Sequence, residues 1–139
     1  MKTNKTPLEQ AVADTPDVSG HFEKGLHAIK SEYKHKVYAS DPRKITGSID
    51  IDSATQSIYP KENRWDYAIE YDSSTYFVEF HPASTGNVSE MMKKLVWLKT
   101  WLNNKAQKIN ELKPTDGTAF NWISTGSIRI LSNSKQYKQ

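Results

Sequence analysis

Asp66, Glu79 and His81 are the residues of this chain whose types and spacing suit chemistry. They lie in the stretch from Arg64 to Ala83, RWDYAIEYDSSTYFVEFHPA, where runs rich in aromatic and β-branched residues flank the turn-formers Asp72-Ser73-Ser74-Thr75. That pattern predicts an antiparallel hairpin. Side chains alternate along a strand, so Asp66, Ala68 and Glu70 share a face with Phe77, Glu79 and His81. Trp65, Tyr67, Ile69 and Tyr71 share the other with Tyr76, Val78 and Phe80. The predicted register sets Tyr71 opposite Tyr76, Ala68 opposite Glu79 and Asp66 opposite His81. One face is apolar, as a core-facing surface should be. The other gathers two carboxylates and an imidazole, the group that changes charge near neutrality. The same residues also read as a plain cross-strand ion pair between Asp66 and His81 on a half-exposed sheet.

Other elements must position that hairpin. Residues 1–16 carry no sustained period and predict a loose lead-in. Phe22, Leu26, Ile29 and Tyr33 recur at helical spacing, so a helix is expected from Ser19, with Glu23 on its polar flank and Lys34-His35-Lys36 at its end. Lys44 to Asp52, KITGSIDID, alternates as a strand with one wet face, which Asp50 and Asp52 would occupy as solvated acids. A short extended piece is expected at Ser57-Ile58-Tyr59. Past a loop at residues 83–86, a long helix is expected from about 88 to 108. Val88, Met91, Met92, Leu95, Leu98 and Leu102 form its apolar stripe, widened by Trp97 and Trp101. This helix is expected on the Tyr67/Ile69/Val78/Phe80 face. Lys93, Lys94, Lys99, Lys105 and Lys108 read as its solvated flanks. Two short β-like pieces around Gly126 follow, and residues 132–139 read as a frayed tail.

The order is helix, strand, strand, strand, helix, then strand, which predicts an α/β (α+β) sandwich around a mixed sheet in a single domain spanning 1–139. At 139 residues and 36% hydrophobic content the chain can bury a core without staples. It has no cysteine, which removes disulfides, thiol catalysis and thiolate zinc sites, and suits a reducing compartment. MKTNKTPLEQ lacks the apolar core of a signal peptide, and no apolar run is long enough to cross a bilayer, so a cytoplasmic protein without a membrane partner is expected. The formal charge is +3, from 19 basic and 16 acidic residues, compatible with nucleic-acid binding without arguing for it. His21, His27 and His35 have no spacing that names a metal.

The element order, with Asp66 at the start of the second strand and Glu79-Phe80-His81 in the third, resembles the PD-(D/E)XK nuclease superfamily. The stretch from Ser48 to Leu102, with its GSIDID strand, RWDY motif and EFHPAST-to-WLKTWL run, also resembles a group of bacterial proteins without an assigned activity. The resemblance implies a restriction-endonuclease-like fold and a metal-dependent nuclease acting on nucleic acid. Asp66 and Glu79 would hold Mg²⁺ or Mn²⁺ with the carbonyl of Phe80, and Glu23 would match a helical acid present in many members. His81 stands where the superfamily places a lysine. It would serve as general base or phosphate partner, or as a ligand for a softer ion such as Mn²⁺ or Zn²⁺. The alternative is a catalytically silent nuclease-like fold that serves as a nucleic-acid or protein interaction module.

Overall fold

The fold was analysed in a computed structural model, which describes residues 4–80, 87–123 and 128–130. At its centre are β4 (Tyr67–Tyr71) and β5 (Ser74–Phe80), joined by the two-residue turn Asp72-Ser73. Both turn residues have positive φ, 49° and 69°, the combination that primed hairpin turns require because it matches the strand twist. The two-residue turn corrects the predicted register. Tyr71 pairs with Ser74, Ala68 with Phe77 and Tyr67 with Val78, a slip of two residues from the predicted pairing. A slip of two keeps every side chain on its expected face, but it brings Glu79, not His81, level with Asp66. His81 itself lies outside the described residues, as do residues 83–86 and 132–139.

The remaining strands build outward from the hairpin. β1 (Glu23–Lys24) and β3 (Ile45–Asp50) extend the sheet on the β4 side, and β6 (Phe120–Ile123) closes it beyond β5, in the order β1-β3-β4-β5-β6. β3 and β4 are antiparallel while β5 and β6 are parallel, so the five-stranded sheet is mixed and the fold is α+β. A parallel neighbour requires a crossover. It contains α4 (Asn87–Asn104) and α5 (Gln107–Asn110). A separate pair joins β2 (Val37–Ala39) in parallel to β7 (Ile128–Ile130). Among the described residues no helix is long and apolar enough to cross a membrane.

Several expected elements take another form. The predicted lead-in holds α1 (Pro7–Ala13), with Thr6 as N-cap and Pro7 in its first turn. Seven residues make a helix that is marginal alone. Burial of Leu8, Ala11 and Val12 holds it, together with the Leu8 N–H donating to Glu70 Oε2 at 2.9 Å. No helix starts at Ser19. Gly20 and Gly25 take left-handed φ of 88° and 54°, which a right-handed helix cannot contain. The segment instead forms β1, a run of turns and the single turn α2 (Ser31–Lys34). Glu23 is therefore an exposed strand residue paired with Ser48, not a helical acid. β3 stops at Asp50, whose carboxylate caps α3 (Ile51–Thr55) through the Ser53 N–H, so Ile51 and Asp52 leave the strand. No strand forms at Ser57–Tyr59. The predicted single helix to 108 breaks at Lys105-Ala106, where Ala106 leaves helical backbone with ψ 46°.

The sheet is covered on both faces. Tyr67, Ile69, Tyr71, Tyr76, Val78 and Phe80 pack with Ile29 and Val37. Ala68 and Phe77 pack with Leu8, Val12, Leu98, Trp101 and Leu102. The long helix thus lies on the face that carries Asp66 and Glu79, opposite to the expected one. That face is not wet, because its acids have individual partners. Glu70, fully buried, accepts from the Leu8 N–H and the Thr46 hydroxyl, each at 2.9 Å.

Leu98 is fully buried whereas Met92 is 54% exposed, although both fall in the apolar stripe of the sequence. Truncating Leu98 to Ala should cost about 2–5 kcal/mol. Met92→Ala should stay within about 0.5 kcal/mol of the parent. Denaturant unfolding of the two variants checks both, and similar costs would reverse the assigned helix face.

Candidate functional site

Where β4 begins, the backbone ladder gives way to side chains. The Asp66 N–H donates to Glu79 Oε1 at 2.9 Å, and the Phe80 N–H donates to Asp66 Oδ2 at 3.1 Å. Each carboxylate therefore accepts from the opposite strand's backbone and takes the place of a carbonyl in the ladder. This reciprocal pair fixes both acids relative to the sheet. Asp66 Oδ1 accepts no hydrogen bond from any described residue.

Glu79 is 1% exposed and faces α4. Its Oε2 accepts from Lys94 Nζ at 2.5 Å. Two carboxylates placed together in a poorly solvated pocket resist ionisation. Burial, and after it the Asp66 charge, pushes Glu79 up to about 7, while the Lys94 hydrogen bond and charge pull in the opposite direction. Asp66 is also held above its usual range, by burial first, with Asp52 and Asp50 adding repulsion and Lys94 opposing it. For Lys94, burial acts to lower the ammonium's pKa. The Glu79 hydrogen bond and the Glu79 and Asp66 charges together outweigh that, and the pKa stands above its usual value.

These groups line a polar cleft of about 230 Å³. Asp50 and Asp52 form part of its wall, the first as the α3 cap, the second ion-paired to Arg64 at 2.7 Å. They are thus site acids and not a solvated strand face. Lys30 and Tyr33 also line the cleft, with the Tyr33 ring stacked on Phe80 at 4.6 Å and 4°. Of the residues singled out in the sequence, Asp66 and Glu79 are brought together. Glu23 is not among the residues lining the cleft, and His81 lies outside the described residues.

Lys94 is the site residue that sequence reading missed. It was grouped with solvated lysines, yet its side chain is only 17% exposed. A signal was present. Lys94 follows Met91 by three residues and precedes Leu98 by four, so it falls on the buried stripe of the helix, where an unpaired cation would be costly.

The donor set suits a hard cation better than a soft one. Among the described residues no group of three His, Cys, Asp or Glu side chains is arranged to hold a metal ion, as a zinc site would need. Mg²⁺ binds through one or two carboxylates and keeps its remaining waters. Two adjacent carboxylates in a polar cleft, with Asp66 Oδ1 accepting from no described residue, fit that pattern. In the comparisons with known proteins, no family model, curated protein or solved structure matches the chain.

Lys94→Met tests the ion pair. Lys94 lowers the Glu79 pKa in the parent, so its loss raises that pKa further above the unfolded value. The folded variant then holds a proton that the unfolded chain releases above about pH 4.5, and stability falls as pH rises. The cost should approach about 3–5 kcal/mol at alkaline pH and shrink below pH 7. Urea unfolding across that range measures it, and a cost independent of pH would contradict the assigned pair.

Proposed function

We propose that the chain is a metal-dependent phosphodiesterase acting on nucleic acid, within a restriction-endonuclease-like variant of the α+β fold. The observation that carries this reading is the convergence of Asp66, Glu79 and Lys94 in one polar cleft, with Lys94 Nζ 2.5 Å from Glu79 Oε2. The superfamily that the sequence resembles uses two acids and a lysine. In this chain His81 holds the lysine's place in the sequence motif, and α4 supplies a lysine to the cleft.

Asp66 and Glu79 would hold Mg²⁺ or Mn²⁺. Such an ion supplies Lewis-acid polarisation of a phosphate and eases the deprotonation of water. The remaining roles belong to the chain's own groups. The Lys94 ammonium, kept charged by its acidic neighbours, offsets negative charge on the phosphate and orients a water by hydrogen bonding. Lys30 on the cleft wall attracts the phosphate backbone. The stacked Tyr33 and Phe80 rings make a stiff apolar wall against which a nucleotide can lie. His81, next after Phe80, is the proposed general base or phosphate partner.

A second reading has an observation in its favour. Lys94 already satisfies Glu79 Oε2, so an internal cation stands beside the carboxylates. On that ground the site would be a self-compensated ion cluster in a catalytically silent fold, kept as a nucleic-acid or protein interaction module.

Thermal melting with Mn²⁺ or Mg²⁺ separates the two, because a ligand bound only by the native state raises Tm. Asp66→Asn should keep the acceptor for the Phe80 N–H and remove one of the repelling charges. Its metal-free Tm should equal or exceed the parent's, and its metal-induced rise should vanish. Cleavage of single- and double-stranded DNA and RNA should require the metal. Lys94→Met should lower it by at least about 100-fold, while His81→Lys should retain or increase it. If the parent shows no metal-induced rise in Tm and neither it nor His81→Lys cleaves any nucleic acid, the silent-fold reading stands.

A further inference from the structure

Beside the cleft lies an aromatic groove of about 130 Å³, lined by Tyr59, Trp97 and Trp101 with Glu62 and Lys105 at its margin. Its walls are mainly carbon. Trp97 and Trp101 stack at 5.7 Å and 8°, and the Tyr59 ring meets Trp97 edge-on at 5.8 Å and 75°. Asp17 fixes the arrangement from beneath, since its Oδ2 accepts from both the Tyr59 hydroxyl at 2.6 Å and the Trp101 indole N–H at 3.0 Å. One carboxylate thus locks two of the three rings before any ligand arrives. Trp101 is buried, whereas Tyr59 and Trp97 are half-buried and present ring surface to the groove.

Groove and cleft are linked through one side chain. Arg64 spans them, with Nε on Asp52 of the cleft wall and Nη1 on the Tyr59 carbonyl, both at 2.7 Å. On α4, Lys94 and Trp97 are three residues apart and therefore neighbours on one helix face. A phosphate at Lys94 places the adjoining nucleotide within reach of Trp97. The apolar walls suit a flat ring and not a phosphate, and aromatic faces stack on every base without regard to sequence. Bases inside a duplex are already stacked on one another and have no free face for such a groove.

We propose that the Tyr59–Trp97 groove is a subsite for an unpaired base, and that the substrate class of the neighbouring cleft is single-stranded nucleic acid. This rests on the reading of the cleft as a phosphodiesterase site.

The test compares binding of a thymidylate dodecamer, the matching duplex and an abasic deoxyribose-phosphate oligomer of equal length, by fluorescence anisotropy with Ca²⁺, a weaker Lewis acid than Mg²⁺. The parent should prefer the thymidylate strand over both others. Trp97→Ala should weaken that binding about 5- to 150-fold and erase the preference over the abasic strand. Trp97→Phe, which keeps a ring, should retain most of it. Should Trp97→Ala fail to fold, the abasic comparison in the parent and the same measurement on Tyr59→Leu decide. Equal binding of thymidylate and abasic strands by the parent, equal or tighter binding of the duplex, or undiminished binding by Trp97→Ala would overturn the subsite. A metal-induced rise in the parent's Tm would then still support the cleft. If metal gives no rise in Tm and no oligomer binds, cleft and subsite fall together.

Discussion

The structure depends on how two adjacent carboxylates are tolerated inside it. Asp66 and Glu79 stand side by side at the end of the central hairpin, on a face that α4 covers. Neither acid could remain charged there on hydrogen bonds to backbone N–H groups alone, because desolvation penalises every ionised form. Among the described residues Lys94 supplies a cation to the pair, reaching Glu79 from the helix. That contact holds only while α4 stays seated on the sheet. Replacing such a buried cluster by apolar residues of similar volume is commonly neutral or stabilising, so stability is a weak reason for this arrangement. Raised carboxylate pKa values within a cleft are found preferentially at functional sites, and here they occur on two acids that line one polar cleft.

The other buried acid gives a contrast. Glu70 lies on the same face of β4 and is fully buried, yet no described lysine forms an ion pair with it. It binds the Leu8 N–H and the Thr46 hydroxyl, and so ties α1 to the sheet and to β3. Both carboxylate oxygens are occupied by neutral donors, which leaves it no opening toward a ligand. Two acids four and thirteen residues from Asp66 thus occupy similar faces and serve different ends. The neighbouring donors separate them, not the strand pattern that placed both.

That difference marks how much of the molecule was legible in the sequence. The two central strands, the β3 alternation, the start of α4 and the mixed sheet followed from periods and turn-formers. Asp66 and Glu79 were found on one face because a two-residue slip preserves side-chain parity, even though the predicted register was wrong. Other features were hidden. The Phe22-to-Tyr33 spacing imitated a helix that Gly20 and Gly25 prevent. α1 is too short to show a period and owes its form to contacts from elsewhere in the chain. The other face of the hairpin is taken by Ile29 and Val37, far away in the sequence, and no local pattern shows that α4 must cover the face that carries the acids. Lys94 was detectable only as a cation lying on an apolar stripe.

A lysine supplied by a helix and not by the strand changes how the site responds to the rest of the fold. A cation on β5 itself would be held by the same backbone that holds Glu79, and the two would move together. On α4 the ammonium keeps its distance from Glu79 only while Met91, Leu98 and Leu102 keep the helix seated on Ala68 and Phe77. The charge balance of the cleft is then coupled to core packing. A loosened helix withdraws the cation, and Glu79 gains affinity for a proton. Trp97 follows Lys94 on the same helical face, and Arg64 braces Tyr59 against Asp52. The same seating of α4 therefore sets where the aromatic groove stands relative to the acids, so that one packing interface fixes the spacing between the Lys94 ammonium and the Trp97 ring.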